Sequence, residues 1–279
     1  VAAVLIAELA AASLLLGRVS HPSTSSPRPT LSASAPSVLA GGRTVRLLSL
    51  GGTRTDGLLT RVGAEMGAAV SAVERFWGID WGHGDDPEIT VVATDSDAQF
   101  LDYAHLDTRR QWADIAAVSV ADEVDLVGRA TSGQRIIFAP GASAMTDSAL
   151  RIVLTHELFH LAARADTALD APRWLTEGVA DFVARPPSAI PAGTSPELPS
   201  DAALDESGVE RSAAYDRAWW FARFVADTYG TGGLRRFYTA AGGPDHGDLA
   251  AAVQRSLGTD LPALEADWAH WLTDEQQRR

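Results

Sequence analysis

The sequence predicts an α+β fold. A small N-terminal lobe of mixed sheet and helix is followed by two helices bearing histidine and glutamate, then by a mostly helical C-terminal lobe. Three observations carry this. Short runs rich in β-branched residues fall before residue 139 and alternate with helical periodicity. From about residue 148 the apolar spacing is helical, with Gly230 and Gly258 as helix-end signals. The 279 residues are 46% hydrophobic and 21% charged, ordinary for a globular protein and enough for a sizeable core.

The chain opens on VAAVLIAELAAASLLLG, residues 1–17, apolar but for Glu8 and Ser13. This is close to a signal-sequence core and slightly short for a spanning helix. Glu8 weakens the membrane reading, since a carboxylate at mid-bilayer costs on the order of 2–3 kcal/mol. Residues 18–40 are rich in Ser, Pro and Ala, the composition of a disordered linker. The expectation is an exported domain over 41–279, secreted or membrane-anchored through the apolar segment and held outside the cytoplasm. Within it, 41–147 is the α+β lobe and 148–279 the helical lobe.

The first lobe reads in order. Thr44–Leu50 has strand character. Leu58, Leu59, Val62, Met66, Ala69, Val70, Val73 and Trp77 recur near the helical period. Glu88–Ala93 is a strand, and Ser96–Tyr103 a helix capped by Asp95 or Ser96. Ile115–Val120 and Gln134–Phe138 are further strands.

Next comes the apolar run Ala149–Thr155, leading into His156-Glu157-Leu158-Phe159-His160. On a helix, residues four apart share a face. The two imidazoles can therefore share one Zn²⁺ while Glu157 reaches a water beside it. Two histidines on a packed helix can also be plain core residues, so a second feature is needed.

Trp174-Leu175-Thr176-Glu177-Gly178-Val179-Ala180-Asp181-Phe182 supplies it. A catalytic zinc takes three protein ligands and keeps one position open. Ala171-Pro172 is a helix-entry signal, and the 17 positions from His160 to Glu177 suit a helix–loop–helix that returns Glu177 to the metal. Asp181, four residues on, shares the face of Glu177 and can accept the second N–H of a ligating histidine. The alternative for Asp181 is a solvated surface acid. Gly178 is costly inside a helix, which a close approach of two helices or of substrate would explain.

HELFH followed by WLTEGVADF resembles the gluzincin metallopeptidases, in particular the peptidase-MA-like domains. The resemblance covers about residues 135–275, and the N-terminal third only in general layout. It implies His156, His160 and Glu177 as ligands of one zinc per chain, and Glu157 as general base. It implies a peptidase acting on peptide or protein substrate. In that family a strand before the metal helix lies at the cleft and pairs with extended substrate. Arg135–Phe138 would take that place here, an interior strand being the alternative. A downstream tyrosine or histidine often stabilises the oxyanion, which makes Tyr215 the candidate; a tyrosine packed at a helix start is the competing reading. The extended H-x-x-G-x-x-H of metzincins is absent, since Leu161-Ala162-Ala163-Arg164-Ala165-Asp166 follows.

The remainder is a Pro-rich loop, Pro186–Pro196, and helices over about Arg211–Tyr229, Gly233–Ala241, Asp248–Leu257 and Leu261–Thr273. Trp219, Trp220, Phe221 and Phe224 read as core, and Leu264, Trp268, Trp271 and Leu272 as a packing stripe. Arg211 and Arg217 read as surface or salt-bridged residues. His83, His105, His246 and His270 have no partner at ligand spacing, and the Asp80–Asp86 turn lacks the spacing of a calcium loop.

Composition excludes several classes. A net charge of −13 argues against a nucleic-acid partner. All 23 basic residues are Arg, so lysine chemistry is out. With no cysteine there are no disulfides, thiolate catalysis, lipid attachment at cysteine or Cys-based zinc sites. Two other functions fit the same layout: a non-catalytic zinc-containing sensor or binding domain on a membrane stalk, and a zinc hydrolase of a non-peptide amide. Glu157 argues against the first, because a pure binding site needs no base. Metal chemistry alone does not separate the second.

Overall fold

The computed structural model describes residues 37–81, 88–106, 115–206 and 208–278. The apolar segment 1–17, most of the linker, His83 and most of the Asp80–Asp86 turn lie outside the described residues. No described helix is long and apolar enough to cross a membrane.

Five strands form the main sheet in the order β1-β2-β3-β7-β4. β1 (Ser37–Ala40) and β2 (Arg43–Ser49) make an antiparallel hairpin. Its turn is Gly41-Gly42, with φ of 55° and 74°. Two positive φ values match the two-residue turn whose twist suits a hairpin. This corrects the linker expected over 18–40, whose last four residues are a strand. The Ala40↔Arg43 pairing closes the ladder there.

β2 runs parallel to β3 (Ile89–Ala93), so the chain must cross over between them, which α1 (Thr53–Trp77) does. β3 runs parallel to β7 (Arg135–Phe138), and β7 antiparallel to β4 (Ala117–Val120). β7 is thus interior, paired on both sides. The reading of Arg135–Phe138 as the strand open to substrate is corrected: its main-chain groups are already taken. Among the described residues the edge on that side is β4. β5 (Glu123–Asp125) and β6 (Ala130–Ser132) form a separate hairpin.

Both faces of the sheet are covered at β3, β7 and β4, which is why those strands are buried almost throughout. Alternate residues point to opposite faces. Val45, Leu47, Val91, Ala93, Ile136 and Phe138 join α1 and the following helices in the large core. Val92, Val118, Val120 and Ile137 meet Phe100 and Ala104 of α2 (Asp97–Ala104) in a smaller one. Ser96 caps α2, its side chain accepting from Gln99 N.

The rest is helical, as expected: α3 (Asp147–Ala163), α4 (Arg173–Ala184), the short α5 (Asp201–Leu204), α6 (Gly208–Gly242), α7 (Leu249–Leu257) and α8 (Leu261–Gln277). α6 is broken at Gly230, where φ is 76°, a conformation that costs glycine little. Trp219, Trp220, Phe221 and Phe224 are buried. Phe221 and Phe224 pack on Trp268, with ring centroids 5.5 and 5.6 Å away, and Leu264 and Leu272 are buried with it.

Candidate metal centre

α3 starts where Thr146 accepts a hydrogen bond from Ala149 N. Its apolar residues Leu150, Val153 and Leu154 fix its rotation against α1 and the sheet, and the whole stretch Val153–Ala163 is buried. A three-residue 3₁₀ turn, Arg164–Asp166, then reverses the chain. Pro172 sits just before the first turn of α4, and Asp201 accepts from Trp174 N there. α4 presents Trp174–Asp181 entirely to the interior. The helix–turn–helix expected from the spacing forms and returns Glu177 to α3.

His156 Nε2 lies 3.0 Å from His160 Nε2 and 3.3 Å from Glu177 Oε2. His160 Nε2 is 3.6 Å from Glu177 Oε1. The three ligand atoms lie within 4.8 Å of one another, and this buried group can hold a metal ion. Among the described residues Glu177 Oε2 has no hydrogen bond of full geometry, only the approach of His156 Nε2. Burial alone would raise the Glu177 carboxyl, but the two histidines outweigh it and hold the carboxyl down at about 2.

Asp181 is buried, not a surface acid, and its Oδ1 is 3.0 Å from His156 Nδ1. An anion there takes the Nδ1–H and leaves Nε2 facing His160 and Glu177. Asp181 Oδ2 accepts from Arg185 Nη1 at 3.1 Å, and Arg185 Nη2 donates to Asp216 at 2.8 Å. The Arg185 guanidinium also stacks 3.8 Å from the Trp219 ring. Sequence reasoning missed Arg185, although its place four residues after Asp181 is a readable signal.

Glu157 is fully buried, and among the described residues neither carboxylate oxygen has a hydrogen-bond partner. Burial raises its pKa, with the His156 and His160 charges acting against it. The Ser119 hydroxyl is close enough to favour its charged form, without the geometry of a hydrogen bond. Ser119 does bond to Arg164, the residue after α3. Arg164 Nη2 donates to the Ser119 carbonyl at 2.9 Å and to its Oγ at 3.0 Å. Burial lowers the Arg164 guanidinium to about 10, so it is cationic at neutral pH. Arg164 and Ser119 were also missed. Arg164 follows His160 by four and Glu157 by seven, so it shares their face.

Gly178 answers the question its sequence position raised. A Cβ there would lie 2.4 Å from the Ala218 carbonyl oxygen. The close approach is to α6, not to α3. The same α6 face brings in Tyr215, buried near Glu177. Burial and the Glu177 charge push its phenol above the usual tyrosine range, with Arg173 acting against them. Arg211 donates to the Glu206 carbonyl and Arg217 pairs with Glu197, so both stay out of the site. His246 pairs with Asp170 at 3.2 Å, and His105 ends α2 in a left-handed conformation.

No family model matches the chain, and no curated protein matches it.

Proposed function

We propose that this protein is a zinc-dependent peptidase with the gluzincin arrangement, in which His156, His160 and Glu177 hold the metal and Glu157 is the general base. One observation carries the reading. A buried His–His–Glu group sits beside a second glutamate, Glu157, that has no hydrogen-bond partner among the described residues. Burying an unpartnered carboxyl is costly, and a pure binding site gains nothing from it. This weighs against a sensor domain.

The donor set suits zinc. Two imidazole nitrogens and one carboxylate oxygen are a catalytic zinc set, whereas calcium and magnesium favour all-oxygen sites and softer ions favour thiolates. When bound, zinc supplies Lewis acidity, which eases deprotonation of water and polarises a carbonyl. The chain's own residues do the rest. Asp181 orients His156. Glu157 accepts the proton of the attacking water and delivers it to the leaving nitrogen; burial makes it a stronger base than a solvated carboxylate. Tyr215, kept un-ionised by burial, donates its O–H to the developing oxyanion. The part of the β4 edge, beside α3, that Arg164 does not cap favours a peptide over another amide, because a strand edge offers main-chain pairing to an extended chain. The apolar segment 1–17 and the linker after it support an exported enzyme, secreted or anchored.

Glu157→Gln is the test. The variant should keep its zinc and lose turnover by about 10²–10⁴-fold. Full turnover would contradict the role given to Glu157.

A further inference from the structure

Arg164 is only 6% exposed, yet among the described residues no acidic side chain bonds to it. Among the described residues its hydrogen bonds all leave from Nη2 and end on Ser119, while Nε is buried with no partner there. Glu157 acts on it through space alone. A buried cation satisfied by one hydroxyl and one carbonyl has capacity left for an anion.

The position of Ser119 gives this meaning. Ala139 N donates to Ala116 O, and the register continues through Val118↔Ile137 and Val120↔Arg135. Hydrogen-bonded pairs alternate in an antiparallel ladder. The N–H and C=O of Ser119, which faces Ile136, therefore point to the free side of β4. Arg164 caps that edge at Ser119, so an extended chain cannot pair along its whole length.

The same arginine lines a cavity of ≈ 130 Å³, with His160, Thr167, Arg173, Thr176 and Tyr238 among its walls. The cavity is thus beside the metal group. Its volume is room for a carboxylate on a short stem. Arg173, exposed at the mouth, pairs outward with Asp205 at 2.6 Å. Thr167 and Tyr238 hydroxyls are 2.8 Å apart and complete a polar wall.

We propose that this cavity is a carboxylate pocket, and that the preferred substrate carries a carboxylate close to the bond cut, received by Arg164 from within and Arg173 at the rim. The carboxylate is a chain's own C-terminus or an acidic side chain. The proposal rests on the peptidase reading for the bond cut, while the pocket is tested by binding alone.

Glutarate, titrated calorimetrically onto the zinc-loaded full chain, is the binding probe. It should bind at one site, about tenfold to hundredfold more weakly in Arg164→Met, with Arg164→Lys between the two. No binding to wild type, or equal affinity in a folded Arg164→Met, overturns the pocket. Should Arg164→Met fail to fold, unchanged affinity in both Arg164→Lys and Arg173→Met overturns it. Four matched peptides, carrying a single Glu or Gln and a free or amidated C-terminus, then separate the sources. Faster cleavage of both free-ended peptides identifies the terminal carboxylate; faster cleavage of both Glu peptides identifies the side chain. Equal cleavage of all four overturns the proposal and leaves the peptidase standing. Arg164-dependent glutarate binding with no cleavage of any peptide sinks the peptidase reading and leaves the pocket standing.

Discussion

His156 Nδ1 stands 3.0 Å from Asp181 Oδ1, with both residues sealed from solvent. The bond joins α3 to α4 and sets which imidazole nitrogen faces Glu177. Arg185 holds the other Asp181 oxygen, so the carboxylate cannot swing away. Asp181→Asn preserves size and removes the anion. Zinc affinity should fall about 10–100-fold, read by competition with a chromophoric chelator. Unchanged affinity would show that Asp181 does not orient the ligand.

Zinc capture should expel a proton. Burial disfavours a charged His156, but the Asp181 hydrogen bond and the nearby Asp181 and Glu177 carboxylates outweigh it and hold His156 well above its ordinary 6.5. The raised pKa favours a protonated His156 in the metal-free chain, and a metal must displace that proton. The sign follows: affinity rises with pH up to the raised His156 pKa and levels off above it. Glu177, held at about 2, is already ionised and adds no proton of its own there. Calorimetry at pH 7 in buffers of differing ionisation enthalpy should show about one proton released per zinc. Buffer-independent heats would refute the linkage.

Gly178→Ala should separate α4 from α6. The added Cβ would lie 2.4 Å from the Ala218 carbonyl oxygen and 2.7 Å from its carbon, both backbone atoms that cannot turn aside. Overpacking of this kind costs about 1–3 kcal/mol, measured by urea unfolding. Glu177 is the neighbouring residue, so zinc affinity should weaken in the same variant. Wild-type stability would mean that the helices have room to part.

Much of this was legible in the sequence because local rules governed it. Helical spacing put His156 and His160 on one face, and the entry signal at Pro172 returned Glu177 to them. Asp181 was readable at the same spacing. Strand existence was readable too, but not strand order. Nothing local says that Arg135–Phe138 is interior while Ala117–Val120 is the edge, since both are short apolar runs buried on two faces. The hairpin at Gly41-Gly42 was hidden by the Ser/Pro/Ala composition before it, although paired glycines beside a strand are a turn signal. The Ser119–Arg164 contact joins residues 45 positions apart, and no periodicity within one element encodes it. Gly178 stood out as a cost, while the helix that required it could be named only from the packing.

Zinc content is the most direct test of the metal centre. The full chain, purified without chelator and dialysed, should carry about one zinc per chain. Glu177→Ala, prepared alongside and verified as folded, should carry well under half of that, since two histidines alone hold zinc weakly. A wild-type chain without zinc, or a Glu177→Ala chain that retains it in full, would contradict the His156–His160–Glu177 site.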